Sequence, residues 1–240
     1  MALIQPYGNN PGRIIGGVTL GQSGPLTAGG GAFTFDGATG LVGTQRRFAN
    51  PYMLSILFWV KLASQTGAIL GLNGGEPFAL SSAYTYVYLM ANPLIGFTPN
   101  NTAANGVAAN TIPPLGVWTM IVASSIGTGY TLLENGEYNA PGSGAPGPSA
   151  YSGWWVLGNM GSSNAYNGTG NWLDGDLAEV AVFHGTSLTQ AQINAIYGAS
   201  SSSDPNAYPA AVMAANPTSY WRLNETSGLW VHDEVLKVEP

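Results

Sequence analysis

The sequence predicts an all-β protein, an antiparallel two-sheet sandwich with one short helix near residues 189–197. Three observations carry that reading. Turn signals recur along the chain, and the runs between them are of strand length. Only 8% of the residues are charged while Gly numbers 34 and Pro 16, the composition of a turn-dense β protein rather than of a long helical bundle. The 240 residues suffice for one large sandwich with a substantial core.

Residues 16–20 and 32–35 read as early strands, and Asp36-Gly37 turns the chain toward Gly40-Leu41-Val42. In the apolar run 52–63, Leu54, Ile56, Phe58, Val60 and Leu62 alternate on one face, with Ser55, Trp59 and Lys61 on the other. That run is too short to span a bilayer, so it is predicted as a central core strand and no membrane insertion is expected. Residues 67–71 read as a short return strand. Further strands are predicted over 84–90, 117–123 and 130–134, and Asn135-Gly136 predicts a type I′ hairpin turn into Glu137-Tyr138. The Pro-, Gly- and Ser-rich segment 140–151 is expected to be an exposed loop, with strand pairing resuming at Trp154.

The stretch 172–198 reads as a turn, a strand, a second turn and a capped helix. Val180 and Val182 point one way from the strand, Ala181 and Phe183 the other, which suits a strand packed on both faces. Thr189 and Gln192 form a capping box, Leu188 and Ile193 a hydrophobic staple, and Gly198 is expected to supply a left-handed stop. Beyond it, Asp204-Pro205 starts a helical turn, and 209–215 reads as a short helix ending before Asn216-Pro217.

These motifs together resemble the laminin-G-like, concanavalin A-like lectin/glucanase jelly roll. The family's Gly-x-Ile-Asp-Glu-Val strand leads into a Leu-Ser-x-x-Glu-Ile helix; here Ala178 replaces the usual Asp and Glu179 keeps the Glu. Ala32-Phe-Thr-Phe-Asp-Gly37 is similar to the family's Phe-Asp-Gly strand end, Ser55 to Val60 to its Ser-x-x-Phe-Trp-Val strand, and Trp118 to the tryptophan before an inner strand. The resemblance implies a jelly roll over 1–200, a linker with a short helix over 201–218, and a tail strand over 219–240. It also places Asp174-Gly175 in a turn. The family's Tyr-Trp-x-Leu-x-Glu-x-Ser-Gly strand ordinarily opens a domain, yet here Tyr220, Trp221 and Leu223 carry it near the end of the chain. Three explanations stand open: the strand folds back into its own sandwich, it completes a neighbouring subunit's, or it begins a second domain. An unpaired Tyr220/Trp221 strand would be an aggregation hazard, which favours the first two and makes a homo-oligomer an expected partner arrangement.

Charge narrows the function. Six Lys/Arg against twelve Asp/Glu give a net charge of −6, which offers no positive surface for nucleic acid. With no cysteine there are no disulfides, thiolate metal sites or cysteine nucleophiles. Asp174-x-Asp176-x-x-Glu179 is similar to the Glu-x-Asp-x-x-Glu strand of jelly-roll glucanases, but a retaining mechanism needs two carboxyls about 5 Å apart. Without a bulge, Asp174 and Asp176 share a face and Glu179 lies opposite. His184 and His232 are far apart in sequence and suggest neither a triad nor a metal site. The chain is therefore expected not to be an enzyme.

Binding suits the residues better. Trp154, Asn164, Tyr166, Asn167, Asn171 and Trp172 are the candidate glycan-binding residues, since sugar rings stack on aromatic planes while Asn oxygens accept their hydroxyls. Core packing and an ordinary polar loop are the competing readings. The resemblance implies calcium at a sandwich edge, for which Asp174 and Asp176 supply oxygen ligands, although no cofactor is expected to be required. The residues 1–10 lack the features of a signal peptide. With the low-charge surface and the Tyr220 stretch, this resembles laminin-G-like modules of bacteriophage particles. The resemblance implies a virion-surface protein, in a capsid decoration, fibre or tail appendage, with other virion proteins or its own copies as partners and host-surface carbohydrate as ligand. A free carbohydrate-binding module and a jelly-roll glycoside hydrolase are the alternatives.

Overall fold

The computed structural model describes residues 7–49, 53–75, 83–90, 92–98, 106–126, 129–143, 152–161 and 172–236. Two antiparallel sheets face one another. The first runs, edge to edge, through β16 (Trp230–Val231), β1 (Gly12–Ile15), β4 (Leu41–Ala49), β13 (Ser152–Leu157), β6 (Ala68–Asn73), β7 (Ala83–Leu89), β8 (Ile95–Thr98) and β9 (Val107–Ala108). The second runs through β12 (Glu137–Ser143), β11 (Gly129–Glu134), β10 (Thr119–Ile126), β5 (Met53–Leu62), β14 (Asp174–His184), β3 (Gly31–Asp36) and β2 (Val18–Ser23), and β15 (Ser219–Trp221) also pairs with β14. The jelly-roll sandwich expected from the sequence is the observed architecture.

Strand alternation builds two apolar layers. Leu54, Ile56, Phe58, Val60 and Leu62 of β5, with Val180 and Val182 of β14, meet Val42, Leu70, Val87, Trp155 and Leu157 between the sheets. The opposite face of the second sheet carries Leu57, Trp59, Met120, Val122, Ala181 and Phe183. Two helices cover much of that face: α1 (Gln190–Ala199) through Ile193 and Ile196, and α2 (Ala207–Ala214) through Tyr208 and Val212. A second apolar layer is why β5 and β14 are buried on both sides.

The helix start follows its sequence signals. Thr189 accepts from the Gln192 N–H, the Gln192 side chain accepts from the Thr189 N–H, and Leu188 and Ile193 are both buried. The expected stop at Gly198 is not used. Gly198 lies inside the helix, which ends at Ser200 with φ −65°. The Ser200 and Ser201 hydroxyls donate to the carbonyls of Tyr197 and Gly198 at 2.7 and 3.0 Å, satisfying the last turn without a left-handed residue.

β6, the expected return strand, pairs with β13 and β7 in the opposite sheet, while β5 is already flanked by β10 and β14 in its own. Two strand expectations change. Residues 140–143 are not loop: β12 continues through Ser143 as an edge strand, where Pro141 is tolerated. The remainder of that predicted loop, 144–151, lies outside the described residues. Asp174 and Gly175 are strand rather than turn, paired with Asp36 and Phe35 of β3, while Gly175 also opposes Leu62 of β5.

β14 is forked. Its first part, Asp174 to Leu177, pairs with β3; its later part, Val180 to Val182, pairs with β15. Between them Glu179 takes φ 53° and the register with β5 shifts between Ala178 and Ala181, a bulge that bends the strand and frees its upper edge. The tail fills that edge. Tyr220, Trp221 and Leu223 are fully buried, and the Trp221 indole N–H donates to the Asn10 carbonyl at 2.7 Å. The Asn10 amide donates to Ser219 Oγ at 3.2 Å, Asp233 Oδ1 accepts the Tyr220 N–H at 2.8 Å, and β16 pairs with β1. The tail thus joins both sheets of its own chain.

Trp221→Ala should cost about 3–5 kcal/mol, as expected for a fully buried Trp. Deleting residues 216–240 should lower the melting temperature further or abolish a cooperative melt. A calorimetric transition unchanged in either variant would contradict the tail's place in the sheets.

Candidate functional site

One end of the helix-bearing face is built from three strands, β3, β5 and β14, and the segment that leads into β10. Asp176 opposes Lys61 of β5 and Thr34 of β3, so alternation sends all three side chains to one face. Thr34 Oγ1 donates to Asp176 Oδ1 at 2.5 Å, and Lys61 Nζ pairs with Asp176 Oδ2 at 2.5 Å. The Lys61 ammonium lies 5.2 Å from the centroid of the half-buried Trp118 ring. Beside them runs a groove of about 360 Å³ lined by Thr34, Lys61, Leu115, Gly116, Gly175 and Asp176, among others. Gly175 is needed there: a Cβ would come within 2.5 Å of the Lys61 carbonyl. Leu115 and Val117 are each about half exposed at the rim. The groove brings a polar cluster and an ammonium donor beside the exposed Leu115, with the half-buried Trp118 ring just under the Lys61 ammonium, a combination suited to a hydroxyl-rich ligand.

The sequence candidates divide. Asp176 lines this groove, and Trp172, half-buried and bridged to Asn159, precedes Asp174 by two residues at the same end of β14. Trp154 stands elsewhere. Trp155 fills the core, so Trp154 turns outward on the first sheet beneath Arg47, whose guanidinium lies 5.2 Å from its ring centroid. Its ring contact is with that cation of β4, not with the groove beside Asp176. Asn164, Tyr166, Asn167 and Asn171 lie outside the described residues. Thr34 and Lys61 were not sequence candidates. Lys61 is the one charge on its strand, but only its register opposite Asp176 gives that charge a role.

Glu179 is not opposite the aspartates. The bulge turns it onto the helix-covered face, where the Tyr220 hydroxyl donates to one carboxylate oxygen and Arg222 Nε and Nη2 reach the other at 3.2 Å each. Burial pushes its pKa up, against the pull of Arg222 and the Tyr220 hydrogen bond. Glu179 is fully buried and beyond a substrate's reach.

Calcium does not fit Asp176. Its two oxygens already hold Thr34 and the Lys61 ammonium, so a divalent ion would have to displace the cation. Among the described residues no group of three His, Cys, Asp or Glu side chains is placed to hold a metal.

Two packed sheets, a helix-capped outer face and an open polar groove define a lectin-like jelly-roll domain. A laminin-G family model described as the concanavalin A-like lectin/glucanases superfamily matches residues 22–194, and the chain belongs to that family. The match stops short of the tail that the fold places in both sheets. No curated protein matches the chain in sequence. Among solved structures, it is similar to a native heptameric SAP-like pentraxin from Limulus polyphemus, at 16% identity and TM-score 0.51 over 72% of this chain and 84% of that one. A putative carbohydrate binding protein from Bacteroides ovatus aligns at 10% identity and TM-score 0.52 over 95% of this chain. The receptor binding domain of a botulinum neurotoxin C/D mosaic serotype aligns at 12% and 0.56 over 80%. The chain spans 56% and 47% of those last two. At these identities the likeness establishes the fold alone.

His184 ends β14 as a packed, hydrogen-bonded histidine. Its Nε2 accepts from the Trp155 indole N–H at 2.9 Å, and its ring stacks on Phe48 with centroids 4.4 Å apart. Burial, aided by the nearby Arg46, lowers its pKa from 6.5 to about 3. Because the unfolded chain takes up this proton first, His184 should erode stability as pH falls from 6.5 toward 3, by up to about 1.4 kcal/mol per pH unit. An NMR titration should find its imidazole neutral at pH 5, and a midpoint near 6.5 would contradict this environment.

Proposed function

We propose that this chain is a non-catalytic glycan-binding module that holds a neutral sugar in the groove beside Trp118. The fixed Thr34–Asp176–Lys61 cluster carries the reading. Asp176 retains acceptor capacity, the Lys61 ammonium donates, Leu115 supplies apolar surface in the groove, and we take the neighbouring Trp118 ring, under Lys61, as the stacking plane for a pyranose face. A net charge of −6 disfavours anionic sugars. The likeness to a putative carbohydrate binding protein and a toxin receptor binding domain is consistent with such a role. Against hydrolysis stands Glu179: the glucanase-like motif has its last carboxylate sealed beneath Tyr220 and Arg222. A working acid and nucleophile would have to flank one bond in an open cleft.

The setting we infer is the surface of a bacteriophage particle, where the module would sit among other virion proteins or its own copies and touch host-surface carbohydrate. What supports it is the low-charge composition and the resemblance of the Tyr220 stretch to modules of such particles. Stoichiometric recovery of the chain in purified particles is the expected result, and its absence from them would remove this setting.

On a glycan array the protein should retain neutral glycans equally with calcium or with a chelator. Trp118→Ala should weaken the signal by about tenfold, the scale of one lost aromatic contact. No retention of any glycan, or an undiminished signal from the variant, would overturn the site. Turnover of a glycan, abolished in Glu179→Gln, would overturn the non-catalytic reading.

A further inference from the structure

A second groove, of about 470 Å³, opens on the same helix-covered side of the sheet, between the Asn135-Gly136 hairpin and α1. Its walls are amides and an aromatic ring. Gln190 Nε2 donates to the Gly136 carbonyl and to Asn194 Oδ1, both at 2.7 Å. The Tyr197 ring, 37% exposed, stacks on Trp59 with centroids 6.0 Å apart, and Glu137 contributes an exposed carboxylate.

Register places this groove in line with the first. The Asn135 N–H donates to the Met120 carbonyl, and its side chain accepts the Met120 N–H, fixing the hairpin at the start of β10. Met120 opposes Trp59, Trp59 opposes Ala178, and the next row outward carries Lys61, Asp176 and Thr34. Trp118, immediately before β10, lies between the two grooves. From β11 to β3 there are four strand intervals, about 19 Å at the usual spacing between strands. A single pyranose is far shorter than that span.

Resting on the glycan reading above, we propose that the two grooves form one track crossing the strands, and that its ligand is a linear neutral oligosaccharide of about three to four sugars, near one per strand interval. Trp118 and Lys61 hold the centre, Thr34 and Asp176 one end, and Tyr197 with Asn194 the other. The far end offers an exposed ring beside amide groups, and among the described residues the only cation lining either groove, Lys61, is already paired with Asp176. Neutral hydroxyls therefore suit both ends better than anionic groups.

The test uses the full chain on an array of linear neutral glycans graded from single sugars to hexasaccharides. Retention should rise steeply from single sugars to tri- and tetrasaccharides and then level off. Tyr197→Ala should lower the response to the longer glycans about tenfold, toward that of single sugars. Asn194→Ala, on the exposed face of α1, should act in the same direction without touching the Tyr197–Trp59 stack, which separates lost contact from lost folding. Equal retention at every length, or long-chain binding unchanged in both variants, would overturn the extended track while leaving the first groove's role standing. Failure to retain any glycan at any length would overturn both.

Discussion

The buried node at Glu179 is the constraint on which the rest of the molecule depends. A residue with φ 53° in the middle of an inner strand carries a backbone cost of about 1–3 kcal/mol. It is held by an Arg222 guanidinium, a Tyr220 hydroxyl and the Arg222 carbonyl, which accepts the Glu179 N–H at 3.1 Å. All three partners come from the tail. Removing either side-chain partner leaves an under-compensated buried carboxylate, and losing the Arg222 guanidinium, which breaks a buried ion pair, typically costs about 3–5 kcal/mol. The bulge and the tail are therefore mutually dependent.

That dependence organises the functional face. Because the bulge redirects β14, β3 serves only its first part, leaving Asp176 paired with Thr34 and Lys61 at the open end. Past the bulge, β15 takes over, Tyr220 joins Trp59, Tyr208 and Phe183 beneath the helices, and the Trp59 indole donates to the Tyr208 hydroxyl at 2.9 Å. One half of the face is sealed and the other stays accessible. The same residues that withdraw Glu179 from chemistry thus leave the polar groove in place.

Much of the scaffold was legible in the sequence because it rests on local periodicity. The alternation of Leu54 through Leu62, the opposed pairs Val180/Val182 and Ala181/Phe183, the Thr189 cap and the Asn135-Gly136 turn are all encoded within a few residues. The misreadings have another origin. Gly198 was outcompeted as a stop by serine hydroxyls further on, and Asp174-Gly175 became strand through pairing with β3 and β5, both remote in sequence. The bulge at Glu179 shows in no local pattern, since its cause, Arg222, lies 43 residues away. For the same reason the groove was only partly readable. Asp176 stood out as a carboxylate in a strand, whereas Thr34, Lys61 and Trp118 acquire meaning only through cross-strand register.

Native-state hydrogen exchange of the intact chain tests most directly whether the tail and β14 form one unit. The account predicts that the amides of Glu179, Val180, Tyr220 and Glu234 exchange only through global unfolding, with protection matching that of Phe58 in central β5. Fast exchange at Tyr220 and Glu234 alongside full protection of β5 would contradict it, showing that the sandwich stands without its terminal strand.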